Sequence, residues 1–386
     1  MQALLSGIRV LDLTTVVLGP YATLMLADLG AEVIKIESPA GEICRDIDNA
    51  RHPGMGPLFL NLNRNKKSVM LDLKEAAGRE ALLRLVDGAD VFVHNMRPGA
   101  VQRLGLDYPA LAARNGRLVY CAAWGFGKDG PYGNLQAYDD VVQAASGLAA
   151  LNAVDGVPRY MPTILADKVT GLFAANAILA ALMQRERSGA GQFIEVPMLE
   201  CLAAFVLAEH LSGATFVPPL APPGYNRMLA PERRPHRAKD GYIAILPYMT
   251  DHWVRFFRHI GREDLATDET VLDAQKRSHA IGRLYAVITE AAPQKTRAEW
   301  FAELKALEVP CMPVNSLEDL LSNEHLNAVG LFSEIAHPSE GRLRSVGFPV
   351  RFSAAPPLPD RPAPRLGADT ETVAGMAAGA PLPTVA

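Results

Sequence analysis

Residues Ile8 to Glu37 read IRVLDLTTVVLGPYATLMLADLGAEVIKIE, and the spacing of apolar residues changes twice within them. Arg9 to Leu13 is rich in β-branched and apolar residues, Gly19-Pro20 opens an amphipathic helix, and Gly30 ends it before a second apolar run, Val33, Ile34 and Ile36. Pro20 suits a first helical position and Gly30 the residue just past a helix end. Strand, turn, helix and strand in that order make half of a nucleotide-binding α/β unit. When such a unit holds a dinucleotide, its first turn carries G-x-G-x-x-G so that backbone can approach a pyrophosphate. This turn is Thr15-Val16-Val17-Leu18-Gly19 instead, which argues against NAD and FAD.

Working outward, strand-like runs recur at Arg9–Leu13, Glu32–Ile36, Ser68–Leu73, Ala89–Val93 and Leu118–Ala122. Helical or loop segments separate most of them, the alternation of a parallel sheet wrapped by helices. A long helix, apolar on nearly every face, is expected from Asp167 to Glu186, then a strand Gln192–Val196 and another apolar helix through Leu211. A helix apolar all round must be buried, in the core or against a second subunit. Thr215–Pro235, with VPPLAPPGYNRMLAPERRP, reads as a linker. Beyond it a strand Gly241–Leu246, helices Asp251–Ile260, Val271–Ala292 and Thr296–Leu307, and a strand Val309–Val314 suggest a smaller α/β domain. The expected organisation is a large α/β domain with a Rossmann-like parallel sheet over 1–214, a linker over 215–235, a small domain over 236–325 and a C-terminal segment over 326–386. The Pro-rich part of that segment, from Phe348, is expected to strap back across the large domain.

The 386 residues hold 38 basic and 42 acidic side chains, a formal charge of −4, without blocks of like charge. That pattern carries no electrostatic footprint for nucleic acid or an anionic membrane. Hydrophobic content of 49% and charged content of 21% are those of a globular protein. The longest helical apolar stretch, Gly171–Met183, reads as too short to span a bilayer. No basic leader or cleavage site precedes the first strand, so a cytoplasmic location is expected. Cys44, Cys121, Cys201 and Cys311 form no C-x-x-C pair, and the nine histidines include no H-E-x-x-H. No structural zinc, disulfide framework, metal or redox cofactor is expected.

A formal G-x-G-x-x-G stands at Gly125, Gly127 and Gly130, after a strand. Pro131-Tyr132-Gly133-Asn134 follows and cannot begin a phosphate-binding helix, so the motif reads as a turn-rich loop. There is no G-x-S-x-G elbow for a hydrolase. Asp167, in TILADKVTG from Thr163 to Gly171, stands out chemically. It reads either as a helix N-cap or as a carboxylate nucleophile, kept ionised by the helix end and shielded from water by Ile164, Leu165 and Ala166. These residues alone leave both readings open.

The ordered motifs of the whole chain decide between them. SGIRVLDLT at Ser6–Thr14, GPYAT at Gly19–Thr23, LADLGAEVIKIE at Leu26–Glu37 and LNRNKKSVMLDLK at Leu62–Lys74 are joined by ADVFVHNMRPGAVQRLGL at Ala89–Leu106, GFGKDGPY at Gly125–Tyr132 and SGAGQFIEVPMLE at Ser188–Glu200. From Leu5 to about Glu371 the chain resembles the family III CoA transferases, which include formyl-CoA and carnitine CoA-transferases. The resemblance implies that Asp167 attacks an acyl-CoA thioester to give a mixed anhydride and CoA thiolate. The thiolate then returns to give an aspartyl-CoA thioester, the acceptor carboxylate attacks that, and CoA opens the new anhydride. CoA is thus substrate and product, passing from an acyl-CoA donor to a carboxylic acid acceptor.

The same resemblance assigns CoA contacts to Val16, Val17 and Leu18, to Leu71, Asp72, Leu73 and Lys74, to Asn95, Met96 and Arg97, and to Arg103; Gln136, Ala137, Tyr138 and Asp139 are expected to contact substrate or the CoA chain. It further implies an interlocked homodimer, with each active site between the large domain of one subunit and the small domain of its partner. Thr15 and Val17 stand where formyl-CoA transferases have His and Gln, and Ser38 where they have Arg, which points away from the formyl/oxalate pair. α-Methylacyl-CoA racemases of the same fold have a His-Asp pair where this chain has Tyr138-Asp139. With a pKa near ten, a tyrosine is a poor proton-transfer base at neutral pH. The nearest equivalent of the racemases' small-domain Glu is Met249. Transferase is therefore the reading, with a racemase or epimerase and a non-catalytic CoA-binding protein as alternatives. Succinyl-CoA as donor and a dicarboxylic acceptor are expected, with Arg227, Arg233, Arg234, His236 and Arg237 as candidates to receive a second carboxylate.

Overall fold

The computed structural model describes residues 3–355, 358 and 360–377. They form two compact units, one built from the chain up to Val206 together with the residues from Ala328 onward, the other from Leu207–Asn327.

The first unit holds a sheet of β1 (Arg9–Leu13), β2 (Glu32–Glu37), β3 (Lys66–Met70), β4 (Val91–His94), β5 (Val119–Trp124) and β6 (Gln192–Pro197). All are parallel, in the order β3-β2-β1-β4-β5-β6, with Leu11 opposite Ile34 on one side and Phe92 on the other. Strands buried on both faces become continuous apolar runs, and alternate residues feed separate cores. Val10, Val33, Val91, Val119 and Cys121 pack with Ala22 and Leu26 of the first helix (Leu18–Asp28) and Ala174 and Ile178 of a long helix (Leu165–Ser188). Leu11, Ile34, Phe92 and Tyr120 pack with Leu82, Leu85 and Leu111 on the opposite face. The chain reverses its direction of travel across the sheet between β1 and β4, so the loops after these two strands diverge and leave a crevice at their C-terminal ends.

Several boundaries differ from the sequence reading. β3 runs Lys66–Met70 rather than Ser68–Leu73, because the Lys66 ammonium is buried and bonds Asp12 Oδ2, Thr23 Oγ1, Asn63 Oδ1 and the Pro20 carbonyl. A strand residue with a hidden charge breaks the apolar pattern, while Leu71–Lys74 leave the sheet. The first helix begins at Leu18, so Pro20 is its third residue, not its first; Gly30, at φ +100°, does sit just past its end. The long helix has 24 residues and by length and composition is apolar enough to cross a bilayer, which corrects the shorter estimate; half of its most apolar window is buried inside the protein. At Gly171 a Cβ would come within 2.8 Å of the Leu18 carbonyl oxygen, so this residue sets the close approach of the two helices.

The outer edge of β3 is covered by the C-terminal stretch. Asn65 N–H donates to the Arg361 carbonyl, Ser68 N–H to Asp369 Oδ2 and Met70 N–H to Thr370 Oγ1, which removes an open strand edge. Residues 356, 357, 359 and 378–386 of the expected strap lie outside the described residues. A hairpin, β10 (Phe332–His337) with β11 (Gly341–Val346), belongs to the same unit.

In the second unit β7 (His236–Ala238), β8 (Gly241–Ile245) and β9 (Cys311–Pro313) form an antiparallel sheet over a core of Trp253, Phe256, Phe257, Tyr285, Ile288 and Trp300. The helix expected over Val271–Ala292 is three, Glu269–Leu272, Ala274–His279 and Ile281–Ala291. The Asp273 carboxylate accepts the Gln275 and Lys276 N–H groups and starts a new helix there.

Candidate active site

The crevice between β1 and β4 is framed by buried charge. Asp12, on β1, accepts from the Thr14 N–H at 2.9 Å and from Lys66 Nζ at 3.1 Å. Burial works against its charge, but Lys66 and Lys35 together hold its carboxyl well below the ordinary carboxylate range. Lys35 Nζ also donates to the Thr14 carbonyl at 2.9 Å and pairs with Glu42. The turn after β1 thus rests on fixed ions. Asn95, just past β4, closes it from the other side, accepting the Thr15 N–H at 3.0 Å and donating to the Thr15 carbonyl at 2.9 Å. Val16 has φ +71°, a conformation that costs a β-branched residue about 1–3 kcal/mol. Gly19 is the glycine this turn requires, since a Cβ there would lie 2.2 Å from Thr14 Cβ.

Asp167 is the third residue of the long helix, whose N-cap is Ile164; it is not the N-cap. Its Oδ1 accepts the N–H of Leu18, first residue of the first helix, at 3.1 Å. The carboxylate therefore faces the positive end of a different helix from its own. Its own N–H donates to Asp139 Oδ2 at 3.1 Å, and Asp139 Oδ1 accepts from Gln143 Nε2 at 2.5 Å. Gln143 is fully buried and its Oε1 accepts the Met161 N–H at 2.8 Å. Burial, and next the charge of Asp139, raise the Asp167 carboxyl to about 6, against the pull of the Leu18 N–H. The Leu18 N–H at a helix end favours the ionised form, while burial and Asp139 hold the proton affinity above that of an ordinary aspartate.

Asp167 opens on a cavity of about 540 Å³. Thr15, Val16 and Leu18 from the first turn, Asn95, Arg97 and Arg103 from beyond β4, and Gln136, Ala137 and Tyr138 from the loop ahead of the helix Asp139–Ala145 line it. A second cavity of about 410 Å³ shares Thr15, Ala100 and Arg103 with the first and is lined by Leu71, Asp72, Leu73, Lys74 and Met96. Leu13, Ile36 and Leu104 add apolar wall. Lys74, Arg97 and Arg103 have no carboxylate partner among the described residues, whereas the buried Lys35, Arg45, Arg64 and Lys66 all do. Unpaired cations around an apolar slot at the strand ends suit a phosphorylated nucleotide.

Two of the expected contact residues lie elsewhere. Val17 is buried and lines neither cavity; its carbonyl accepts the Tyr21 N–H. Asp139 also lines neither and instead holds the Asp167 main chain. Gln143 escaped the sequence reading because an internal glutamine on a short helix carries no motif. The glycine-rich loop after β5 is, as read, not a helix start, yet it lines the first cavity with Gly125, Gly133, Asn134 and Leu135. Glu200 accepts its Gly127 N–H at 2.9 Å and Glu195 its Lys128 N–H at 2.7 Å. Its position after a parallel strand was the available signal.

Fold and site define an α/β protein with a groove flanked by unpaired cations at a sheet switch point and a buried carboxylate open to it. Residues 5–370 match CoA-transferase family III, and the chain belongs to that family. It is 38% identical over 78% of its length to a probable fatty acyl-CoA transferase, Rv3272, of Mycobacterium tuberculosis, covering 80% of that protein. A crystal structure of Rv3272 superposes with TM-score 0.84 at 31% identity, covering 96% of this chain and 99% of that one. Succinyl-CoA:glutarate CoA-transferase of Mus musculus is 32% identical over 96% of this chain and 85% of its own. Formyl-CoA:oxalate CoA-transferase of Streptomyces avermitilis is 33% identical over 92% and 91% respectively. The protein is a CoA-transferase.

Proposed function

We propose that this enzyme moves CoA from an acyl-CoA such as succinyl-CoA to a second carboxylic acid, a dicarboxylate, through covalent intermediates on Asp167. The Asp167 carboxylate oxygen attacks the thioester carbon, the C–S bond breaks, and CoA leaves as thiolate with a mixed anhydride formed. The thiolate attacks the aspartyl carbonyl of that anhydride, releasing the donor acid and leaving an aspartyl-CoA thioester. The acceptor carboxylate then displaces CoA, and the returning thiolate opens the new anhydride on its acyl side to free Asp167. No net hydrolysis occurs, so an anhydride screened from water is the requirement.

The observation that carries this reading is the Asp167 carboxylate opening on a cavity that shares Thr15, Ala100 and Arg103 with a second one with apolar walls and free cations. In this reading the nucleotide end of CoA takes the slot beside Leu71–Lys74, and the pantetheine arm passes Asn95 and Met96 toward Asp167. A carboxylate whose proton affinity is raised by burial is also a better nucleophile than an ordinary aspartate. The exposed Leu172, Phe173 and Met183 on the long helix support a homodimer, and four free cysteines accord with a cytoplasmic location.

The test is incubation in deuterated water with succinyl-CoA, acetyl-CoA and pooled mono- and dicarboxylic acids, followed by mass analysis of all CoA thioesters. New thioesters without α-deuterium, lost in Asp167→Asn, support transfer and name the acceptor. Deuterium in the starting thioesters without exchange supports a racemase instead.

A further inference from the structure

We infer that Cys44 is a positioning residue for the reaction: its thiol holds the Val16 carbonyl and so keeps the turn after β1 in the form that aims the Leu18 N–H at Asp167. The inference deepens the proposed transfer reaction and rests on it for the role of Asp167.

Four successive carbonyls of this turn are each fixed by a different group. Lys35 Nζ donates to that of Thr14 at 2.9 Å, Asn95 Nδ2 to that of Thr15 at 2.9 Å and the Tyr21 N–H to that of Val17 at 2.8 Å. The Val16 carbonyl accepts from Cys44 Sγ at 3.6 Å, and from no other group among the described residues. The sequence explains why a side chain is needed there. Four positions along a helical ladder from Val16 stands Pro20, which has no N–H to give. Val16 is also the strained residue of the turn, at φ +71°, so the peptide most in need of a tether has the weakest of the four donors.

Cys44 stands in the short helix Ile43–Arg45, fully buried with Phe59 and Ala363, and Val16 packs against that cluster. Burial, and next the charge of Glu42, push its thiol up to about 11, so the proton that makes the hydrogen bond is present at neutral pH. Two residues further along the turn the Leu18 N–H meets Asp167 Oδ1 at 3.1 Å. Rotation of the peptides between Val16 and Leu18 would carry that N–H away, and Asp167 would lose the hydrogen bond that pulls its proton affinity down. Asp139, the charged group that raises it, is held by Gln143, and Glu42, on the loop of Cys44, pairs with Lys35 at 2.9 Å. Substitution at Cys44 alters neither ion. Without the hydrogen bond a buried cysteine is only a small apolar filler, and the two roles separate by experiment.

The experiment compares Cys44→Thr with Cys44→Val, side chains of nearly the same shape of which only threonine carries a donor, and adds Cys44→Ala as a donorless variant without extra bulk. The kcat of CoA transfer is followed against pH, and so is the Leu18 amide resonance in full-length protein carrying isotope-labelled leucine. In wild type that resonance should titrate with Asp167, near 6, and lose the step in Asp167→Asn. Cys44→Val and Cys44→Ala are expected to raise the midpoint in both readouts and to lower kcat about tenfold, while Cys44→Thr keeps the wild-type midpoint. Midpoints that coincide in Cys44→Thr and Cys44→Val, or that stay at the wild-type value in all three variants, make Cys44 a packing residue and overturn the inference. Thermal unfolding of each variant measures the packing contribution separately. Absence of transfer in wild type counts against the reaction and not against the turn, which the Leu18 resonance still reads.

Discussion

The main-chain N–H of Asp167 donates to the side chain of Asp139 at 3.1 Å, while the Asp167 side chain turns away to accept the Leu18 N–H at the same distance. One aspartate thus holds the other by its backbone and leaves its carboxylate free for chemistry. The arrangement also puts two negative charges near one another, and the second raises the proton affinity of the first.

The rate of transfer should follow the ionised fraction of Asp167. It is expected to rise between pH 5 and 7 with an apparent midpoint near 6 and to level off above. In Asp139→Asn the repelling charge is gone, so the midpoint of the kcat profile should move to lower pH. An unchanged midpoint would separate Asp139 from the titration.

Asp167→Asn should lower transfer by on the order of 10⁴-fold or more and abolish the aspartyl-CoA adduct in the mass spectrum. The same change should stabilise the fold. Asp167 rises from 3.8 to about 6 on folding, so its stabilising contribution is fully present below pH 3.8 and is lost as pH rises through 6. At pH 7 the ionised group therefore costs about 2–3 kcal/mol. Denaturant unfolding should find Asp167→Asn more stable by up to that amount at pH 7, the gain shrinking toward pH 4.

Gln143→Leu leaves the Met161 N–H and an oxygen of Asp139 without their partner. A loss of about 1–3 kcal/mol in unfolding free energy is expected, with an altered midpoint in the pH–rate profile. A stability loss with an unaltered profile would make Gln143 purely structural.

Gly171→Ala should destabilise, against the roughly 1 kcal/mol gain an alanine normally brings to a helix interior. The added methyl would meet the Leu18 carbonyl at 2.8 Å and push the first helix from the long one. Thermal unfolding and kcat together check this, since the same displacement strains the Leu18–Asp167 hydrogen bond.

Lys74→Ala and Arg103→Ala should each raise KM for acyl-CoA about tenfold or more with little change in kcat. Initial rates against acyl-CoA concentration, at low and high salt, test whether these cations meet phosphate groups.

Much of the large sheet was legible because its cause is local. An apolar run followed by a helical or loop segment, repeated down the chain, needs no distant partner to be recognised, and Arg9–Leu13 stands where it was expected. Lys66 marks the limit, since its burial in β3 depends on Asp12, Thr23 and Asn63, which lie far from it or on another element. The break at Asp273 was local and still missed, because a carboxylate inside a helical pattern reads equally well as a solvated side chain.

Residue order and short-range periodicity were enough for the α/β class, the family likeness and the singling out of Asp167. That Asp167 is no cap, that Leu18 holds its side chain and Asp139 its main chain, and that Val17 is buried emerged with the folded chain. The reason is physical: a carboxylate's proton affinity and direction depend on burial and on groups brought near by chain closure. Those neighbours are separated from it by up to 149 positions in the chain.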